Sequence, residues 1–504
     1  MTEHLETPLT HRLIESPLGR LLYLPLVERL KVGAIDSEFT VLRARAIADV
    51  AGTSVDRFCE RADIPSSLDD DLVGDLQTAL ESHAETKATF ERVHDEWTAA
   101  FWGETDTGGH KFMKDIRPPW GRNSLFSYSH QNEHTLDGRT QLEKRHREAA
   151  ENWLNPQGTF GFIAETNVLD PVGFDIPEPE AALATWKDRP AADVYGLPSS
   201  MPTVESSATM RGPGTREYLV RFPSPSSFID GTAFARVYEP SEVDRDAELS
   251  TIVYGTGLAM ACDLIGYWTE EEYVGRALAQ RGYRVILPIP PWHGRREIPG
   301  FYSGEPYLAR MPVSAIELYA TQAAETAVLT DWARSIGAPT VGVGGISLGG
   351  IVTTFVASHA DGWAEAYRPD FAVPVAPSAR IDDLLFDSSL TERLGVVEAL
   401  RESGWTPESM GRLGHLLRAP DTAGIAPERI YPVGGLRDEM TQYQPTKAVF
   451  EEWGVPADNF TEWDCGHFGV LLRVMRTREF QHLLTNLLDE PRSSSGVTTS
   501  RPSR

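Results

Sequence analysis

The chain has 504 residues, of which 41% are hydrophobic and 24% charged, and it carries a formal net charge of −26. This composition is ordinary for a globular protein and excludes a fibrous or wholly disordered chain. The length predicts one large domain with additions, or two domains. So negative a chain, without a basic cluster, would repel a phosphate backbone, which argues against nucleic acid as a partner.

The cysteines and the N-terminus bear on the compartment. Cys59, Cys262 and Cys465 lack the paired close spacings of zinc sites and disulfide frameworks, which favours a reducing compartment. The N-terminus lacks a basic start followed by an uninterrupted apolar stretch. No segment reaches the roughly 20 apolar residues that a spanning helix needs. We therefore predict a cytoplasmic protein without an integral membrane segment.

The first part of the chain is predicted to be mainly helical. Apolar residues recur at spacings of three and four from about residue 40 to 102, and residues 138–154 repeat the pattern. Between these stretches, aromatic residues alternate with Pro, Gly and Asn. We predict an N-terminal mainly helical region over residues 1–205, whose role the sequence leaves open.

After residue 206, short β-branched and aromatic runs alternate with helical patterns, which predicts an α/β protein. We expect a mostly parallel eight-stranded sheet with helices on both faces, formed by residues 206–490. The first two runs, near Tyr218 and Phe234, follow each other without a helix and predict an antiparallel edge. Residues 491–504 are polar and predict a disordered tail.

The most informative motif is Gly-Ile-Ser-Leu-Gly, residues 345–349, between an apolar strand and a helical pattern. This arrangement is typical of a nucleophile elbow, in which the glycines permit a turn too tight for side chains. We predict Ser347 as the nucleophile. The backbone N–H of Leu348, at a helix N-terminus, would stabilise a developing oxyanion. The alternative is a serine that caps a helix beside packing glycines.

A serine nucleophile needs a histidine base and a carboxylate that orients it, here in the chain order serine, acid, histidine. His467 follows a late strand and precedes a helix, so we predict it as the base. Asp438 lies just after the preceding strand and is the predicted acid. Alternative acids are the adjacent Glu439 and, more weakly, Asp382 or Asp383.

The second oxyanion donor is expected in the turn after the strand at residues 250–255. Thr256 or Gly257 would supply it, although turn geometry alone explains this Gly-Thr-Gly sequence equally well. The pattern implies no metal and no organic cofactor.

These residues resemble the α/β-hydrolase superfamily over about residues 210–488. The segment Leu287–Glu305, with its HGRR and SGE sequences, and the later VGGLRDEM and CGHFGV are similar to a bacterial group resembling the alpha/beta hydrolase domain-containing 18 family. The resemblance implies the fold and apparatus of a serine hydrolase but no substrate. One departure is Tyr254 before Gly255, where the superfamily usually has His-Gly.

Two further features accompany the resemblance. His293 is interpreted as part of a rigid loop tied by charge pairs at the rim of the site, rather than as a second catalytic histidine, and Arg295 or Arg296 could steer an anionic group. Residues 380–426 form a helical insert predicted to act as a lid. Its apolar face is either core packing or the lining of an acyl pocket.

Together these patterns predict a hydrolase that cleaves a carboxylic ester of a small-molecule acyl substrate through an acyl-enzyme. The same residues would also suit a thioesterase, a lactonase, an acyltransferase or a C–C hydrolase. A non-catalytic binding protein of the same fold is a further alternative. The sequence leaves open whether the protein forms a homo-oligomer.

Overall fold

The computed structural model describes residues 25–64, 69–103, 136–154, 156–166, 168–243, 247–259 and 271–490. Cys262 and the predicted disordered tail, residues 491–504, lie outside these ranges. No helix in the described ranges is both long and apolar enough to cross a membrane.

A ten-stranded sheet forms the centre of the part that the structure describes. Each of the eight predicted runs forms a strand, and two short additional strands pair with the first of them. The strands are β1 (Glu205–Ser206), β2 (Met210–Gly212), β3 (Thr215–Pro223), β4 (Thr232–Pro240), β5 (Thr251–Gly255), β6 (Arg284–Pro288), β7 (Val341–Ile346), β8 (Phe371–Val375), β9 (Val433–Gly435) and β10 (Thr461–Trp463).

The strand order identifies the fold. The order is β1-β3-β4-β6-β5-β7-β8-β9-β10, with β2 on β3. Strands β3 and β4 form the predicted antiparallel edge, and all pairings from β6 to β10 are parallel. This is the α/β-hydrolase fold that the resemblance implied. Because the carboxyl ends of parallel strands meet at one edge, the loops after β5, β7, β9 and β10 lie together.

Both faces of the sheet are buried. The five residues of β5 and the five of β6 are all buried, which is characteristic of parallel strands covered on both sides. Side chains alternate between two cores as the period of a strand requires. Val253 and Ile286 belong to one core, and Ile252 and Val285 to the other.

Helices cover these two faces, as predicted. Leu318 and Ile351 pack into the first core, and Val470 and Leu484 into the second. The helices are α1 (Pro25–Ala51), α2 (Val55–Ala62), α3 (Asp70–Trp102), α4 (Leu136–Leu154), α5 (Pro156–Thr166), α6 (Pro179–Trp186), α7 (Ala191–Val194), α8 (Ala277–Ala279), α9 (Glu305–Ala309), α10 (Val313–Ser335), α11 (Leu348–His359), α12 (Ile381–Asp387), α13 (Ser389–Arg393), α14 (Val396–Glu402), α15 (Pro407–Gly411), α16 (Gly414–Leu417), α17 (Tyr443–Glu452), α18 (His467–Arg476) and α19 (Arg478–Asp489).

The described part of the N-terminal region is mainly helical and packs against the sheet in two ways. Residues of α6 and α7 enter the first core, where the Tyr195 ring stacks on Phe355 at 5.2 Å between centroids. The Tyr195 hydroxyl also donates to the Leu416 carbonyl of the insert, at 2.7 Å. Helices α3 and α4 form a smaller core of their own, which contacts the sheet through Met210 and Leu219.

A buried chain of ion pairs ties α4 to the sheet. Arg236 on β4 lies 2.8 Å from the Glu143 carboxylate of α4 and 3.1 Å from Glu217 on β3. Glu217 also pairs with Arg276 at 2.7 Å. Burial would raise the pKa of Glu217, but Arg276 and Arg236 hold that pKa at about 2. These charges satisfy one another, and removing one would leave buried charge unpaired.

The insert, residues 380–426, consists of the five short helices α12 to α16 between β8 and β9. Its predicted apolar face packs into the first core, where Leu385 and Leu394 are fully buried. The Ser388 hydroxyl donates to the Met440 carbonyl at 2.6 Å, which holds the start of the insert against the loop after β9.

Candidate active site

Ser347 lies between β7 and α11 in a strained turn. Its φ of 55° and ψ of −114° place a non-glycine residue in a region that side chains rarely adopt. The Ser347 amide donates to the Val375 carbonyl of the neighbouring strand at 2.9 Å, which holds the strained residue in place. The side chain is therefore presented at the carboxyl edge of the sheet, as the elbow motif predicts.

The glycines of the motif are required by close backbone contacts. A Cβ at Gly345 would lie 2.6 Å from the Gly349 carbonyl carbon, and one at Gly349 would collide with the carbonyl of Gly255. The Gly349 amide donates to the Thr256 carbonyl at 2.9 Å. The start of α11 is thus pressed against the end of β5.

The structure brings Ser347, His467 and Asp438 into one hydrogen-bonded chain. Nδ1 of His467 lies 2.7 Å from Oδ2 of Asp438, and Nε2 lies 3.0 Å from Oγ of Ser347. A carboxylate only accepts, so Nδ1–H donates to Asp438. In the neutral ring Nε2 is then free of a proton and accepts the Ser347 hydroxyl.

The loop after β9 holds Asp438 in place and leaves its neighbour in solvent. The carboxylate accepts from the amides of Met440 and Thr441 at 2.9 and 3.0 Å, and from the Thr441 hydroxyl at 2.8 Å. Burial would raise the pKa of Asp438, but His467 and the two hydrogen bonds from Thr441 lower it. Glu439 is exposed. The geometry therefore selects Asp438 over Glu439 as the partner of the histidine.

The other two alternative acids lie in α12 and are bound by arginines. The Asp382 carboxylate accepts from Arg418. Asp383 accepts from Arg380 at 2.6 Å and from Arg418 at 3.0 Å. Both carboxylates therefore fasten the two ends of the insert to each other, and neither is the partner of Nδ1 of His467.

The predicted oxyanion residues lie at the elbow. Leu348 is the first residue of α11, so its amide has no partner within the helix. Thr256 is buried and its carbonyl is bonded to Gly349, which brings the turn containing Thr256 and Gly257 next to this amide. Tyr254, which replaces the usual histidine, is fully buried in the second core.

His293 is not at the rim of the site, as the sequence suggested, but completely buried. Its Nδ1–H donates to the Pro291 carbonyl at 2.8 Å, and its Nε2 accepts from the Ala259 amide at 3.3 Å. Burial lowers the pKa of His293 to about 4, so the ring is neutral. It fastens the turn after β5, whose residue Ala259 has a φ of 62°.

The arginines after His293 are engaged in packing. Arg296 pairs with the buried Glu325 carboxylate at 2.7 Å, which is a charge pair of the expected kind. The Arg295 guanidinium lies 4.2 Å from the centroid of the Trp97 ring. The pairing of Arg296 argues against the role in steering an anionic group that the sequence suggested.

One residue at the site, Glu28, could not have been identified from the sequence. The Glu28 carboxylate of α1 accepts from the amides of Phe468 and Gly469 at 3.0 and 3.1 Å, directly after His467. The residues in contact are separated by 440 positions. No local pattern or spacing could have indicated this contact. Within the described ranges, no group of three or more His, Cys, Asp or Glu side chains is placed to hold a metal ion.

No protein-family model matches the sequence, and no curated protein matches it. Solved structures with a similar fold include acetyl xylan esterase 1 from Thermoanaerobacterium sp., with 16% identity and a TM-score of 0.41, covering 63% of this chain and 95% of that one. The acetyl xylan esterase from Paenibacillus sp. R4 has 15% identity and a TM-score of 0.40, covering 59% and 91%. An acylaminoacyl peptidase from Pyrococcus horikoshii has 14% identity and a TM-score of 0.36, covering 60% and 50%.

Similarities this distant carry no information about the reaction. The class is defined by the molecule itself, through the strand order and the elbow between β7 and α11: the chain has the α/β-hydrolase fold. What it catalyses has to be argued from the residues at the elbow.

Proposed function

We propose that the protein is a serine hydrolase that cleaves a carboxylic ester through an acyl-enzyme. The observation that carries this proposal is the continuous hydrogen-bonded chain from Ser347 through His467 to Asp438 at a strained elbow. A serine that merely capped a helix would not need an aligned imidazole backed by a buried carboxylate.

In the proposed reaction, Oγ of Ser347 attacks the ester carbonyl while Nε2 of His467 takes its proton. The resulting oxyanion accepts from the amide of Leu348 and from that of Thr256 or Gly257. The imidazolium returns the proton to the alkoxide, which leaves as the alcohol. Water then attacks the acyl-enzyme by the same path, and the acid and free Ser347 are released.

The base must be neutral to accept the proton, so its pKa sets the acidic limit of activity. Burial lowers the pKa of His467, but the Asp438 carboxylate, with a further contribution from Glu28, raises it above its ordinary value of 6.5. As the pH falls through this raised pKa, the imidazole becomes charged and kcat/KM declines. The decline is therefore expected at a higher pH than for an unperturbed histidine.

We also propose the finer relationship to the alpha/beta hydrolase domain-containing 18 group. Its support is the sequence resemblance of the HGRR, VGGLRDEM and CGHFGV segments, the last two of which contain Asp438 and His467. A solved structure of a member of that group would test this. A different placement of the HGRR histidine there would contradict it.

The cytoplasmic location is likewise a proposal. It is supported by the thiols of Cys59 and Cys465, which are buried and free. A reducing compartment preserves such thiols. Fractionation of the source cells, followed by immunodetection of the protein, would test the location.

The proposed chemistry is tested by labelling purified protein with a fluorophosphonate probe and locating the adduct by mass spectrometry. Labelling at Ser347, absent in Ser347→Ala, is the expected result. Well-folded protein that is not labelled would contradict the proposal. Turnover of p-nitrophenyl butyrate, with and without a competing alcohol, then separates hydrolysis from acyl transfer by its products.

A further inference from the structure

Helix α1 reaches the proposed active site through the Glu28 carboxylate. Oε1 accepts from the Phe468 amide at 3.0 Å, and Oε2 accepts from the Gly469 amide at 3.1 Å. Both amides belong to the first turn of α18, whose N-cap residue, Gly466, has no side chain that could cap it. One turn further along α1, the Lys31 ammonium lies 5.1 Å from the centroid of the Phe468 ring.

The position of the carboxylate suits the end of the helix. The first amides of an α-helix have no partner within the helix, and negative charge is favoured at this end. The fit is close, because a Cβ at Gly466 would lie 2.5 Å from Oε1 of Glu28. Glu28 therefore contacts the backbone on both sides of His467.

Helix α1 is itself held by the rest of the molecule. Ile35 is buried in the first core. Further along the helix, the Arg45 guanidinium donates to the Glu297 carboxylate at 3.3 Å, in the segment that follows β6. Helix α1 also packs against α13 of the insert. The helix that carries Glu28 thus has a fixed position relative to the sheet and to the insert.

We propose that Glu28 is a positioning residue for the reaction, which orients His467 by holding the two amides that follow it in the chain. This inference rests on the proposed hydrolase function. Glu28 contacts no reacting atom in it, and acts only through the backbone of α18 and through its charge.

The charge provides a readout that distinguishes this role from simple packing. Glu28 and Asp438 are the carboxylates that raise the pKa of His467 against the effect of burial. Removing the Glu28 charge therefore lowers the pKa of His467. Other titratable groups around this loop are Lys31 on α1, Arg437 in the loop after β9 with its partner Asp464, the Cys465 thiol, and Arg473 on α18.

The test compares Glu28→Gln and Glu28→Ala with wild type and with Glu38→Gln. Glu38 is an exposed carboxylate on the same helix and serves as the matched control. The measurements are kcat/KM for p-nitrophenyl butyrate across pH, the rate of fluorophosphonate labelling, the melting temperature, and the titration of the His467 ring by NMR. The NMR titration does not depend on turnover.

For Glu28→Ala we expect kcat/KM to fall by about 10- to 100-fold, because a small displacement of the His467 ring would slow the reaction by such a factor. For Glu28→Gln, both the acidic limb of the pH profile and the NMR titration should move to lower pH, while Glu38→Gln matches wild type.

Identical profiles and titrations in wild type and Glu28→Gln would overturn the inference. A loss of activity equal at every pH and accompanied by a lower melting temperature would also overturn it, since that is a purely structural role. Absence of labelling and turnover in wild type would instead contradict the proposed function.

Discussion

The hydrogen bonds that shape the loop after β9 differ from those that attach helix α1 in how far apart in the chain their partners lie. Asp438 is held by the amides of Met440 and Thr441, two and three positions away. Glu28, by contrast, meets Phe468 across 440 positions. Short-range contacts leave a pattern in the sequence, and long-range ones do not. Short-range contacts shape each loop, whereas long-range ones bring the loops together, as between His467 and Ser347 across 120 positions, and attach α1 to them.

The largest effect should come from the elbow. Ser347→Ala removes the proposed nucleophile and should lower kcat by on the order of 10⁶. The melting temperature should be little changed, because the contacts of the Ser347 backbone remain. Turnover of p-nitrophenyl butyrate and thermal unfolding measure the two quantities. Substantial residual turnover at the wild-type pH optimum would remove Ser347 from the mechanism.

The next effect concerns the choice of acid. Asp438→Asn keeps the size of the side chain but lets its amide face Nδ1 of His467, which favours the wrong tautomer. We expect kcat to fall by roughly 10⁴. The adjacent exposed residue provides the control, since Glu439→Gln should leave kcat unchanged. If the two variants exchanged these effects, the acid would be Glu439.

The attachment of the N-terminal helices is tested at the buried ion pairs. Arg236→Ala leaves the buried carboxylates of Glu143 and Glu217 without one of their partners, and the free energy of unfolding should fall by about 3–5 kcal/mol. The exposed pair of Arg145 with Glu96 is the control, and Arg145→Ala should cost less than about 1 kcal/mol. Denaturant titration measures both. Equal losses of unfolding free energy in the two variants would mean that burial of the ion pairs does not determine how much they stabilise the protein.

The smallest effect expected is at the contact between the elbow and β5. Gly349→Ala forces a methyl group against the Gly255 carbonyl and should lower the free energy of unfolding by roughly 1–3 kcal/mol. Gly362→Ala is the control, because nothing lies within 4 Å of a Cβ placed there. The Gly349→Ala variant should also lose activity, since the displaced helix carries the Leu348 amide. Unchanged stability in Gly349→Ala would show that the backbone contact can relax.

The fold class was predictable because alternating apolar runs and helical patterns are local. All eight predicted strands formed, including the short run at residues 461–463. Strands β1 and β2 were not predicted, because two or three residues carry too little pattern. The predicted position of His293 at the rim was wrong, because its neighbouring arginines are typical of an exposed loop. Its burial depends on Ala259 and Pro291, whose positions the tertiary structure sets.

By itself, the sequence predicted the elbow, the loops that carry the proposed acid and histidine, and the alternation that builds the sheet, because each is visible in a short segment. Only the tertiary structure decided between Asp438 and Glu439. It also determined the burial of His293 and the contact of Glu28 with the helix that begins at His467. These outcomes depend on which surfaces exclude water and which backbone amides lack partners. Such properties belong to the packed chain and have no signature in any short segment.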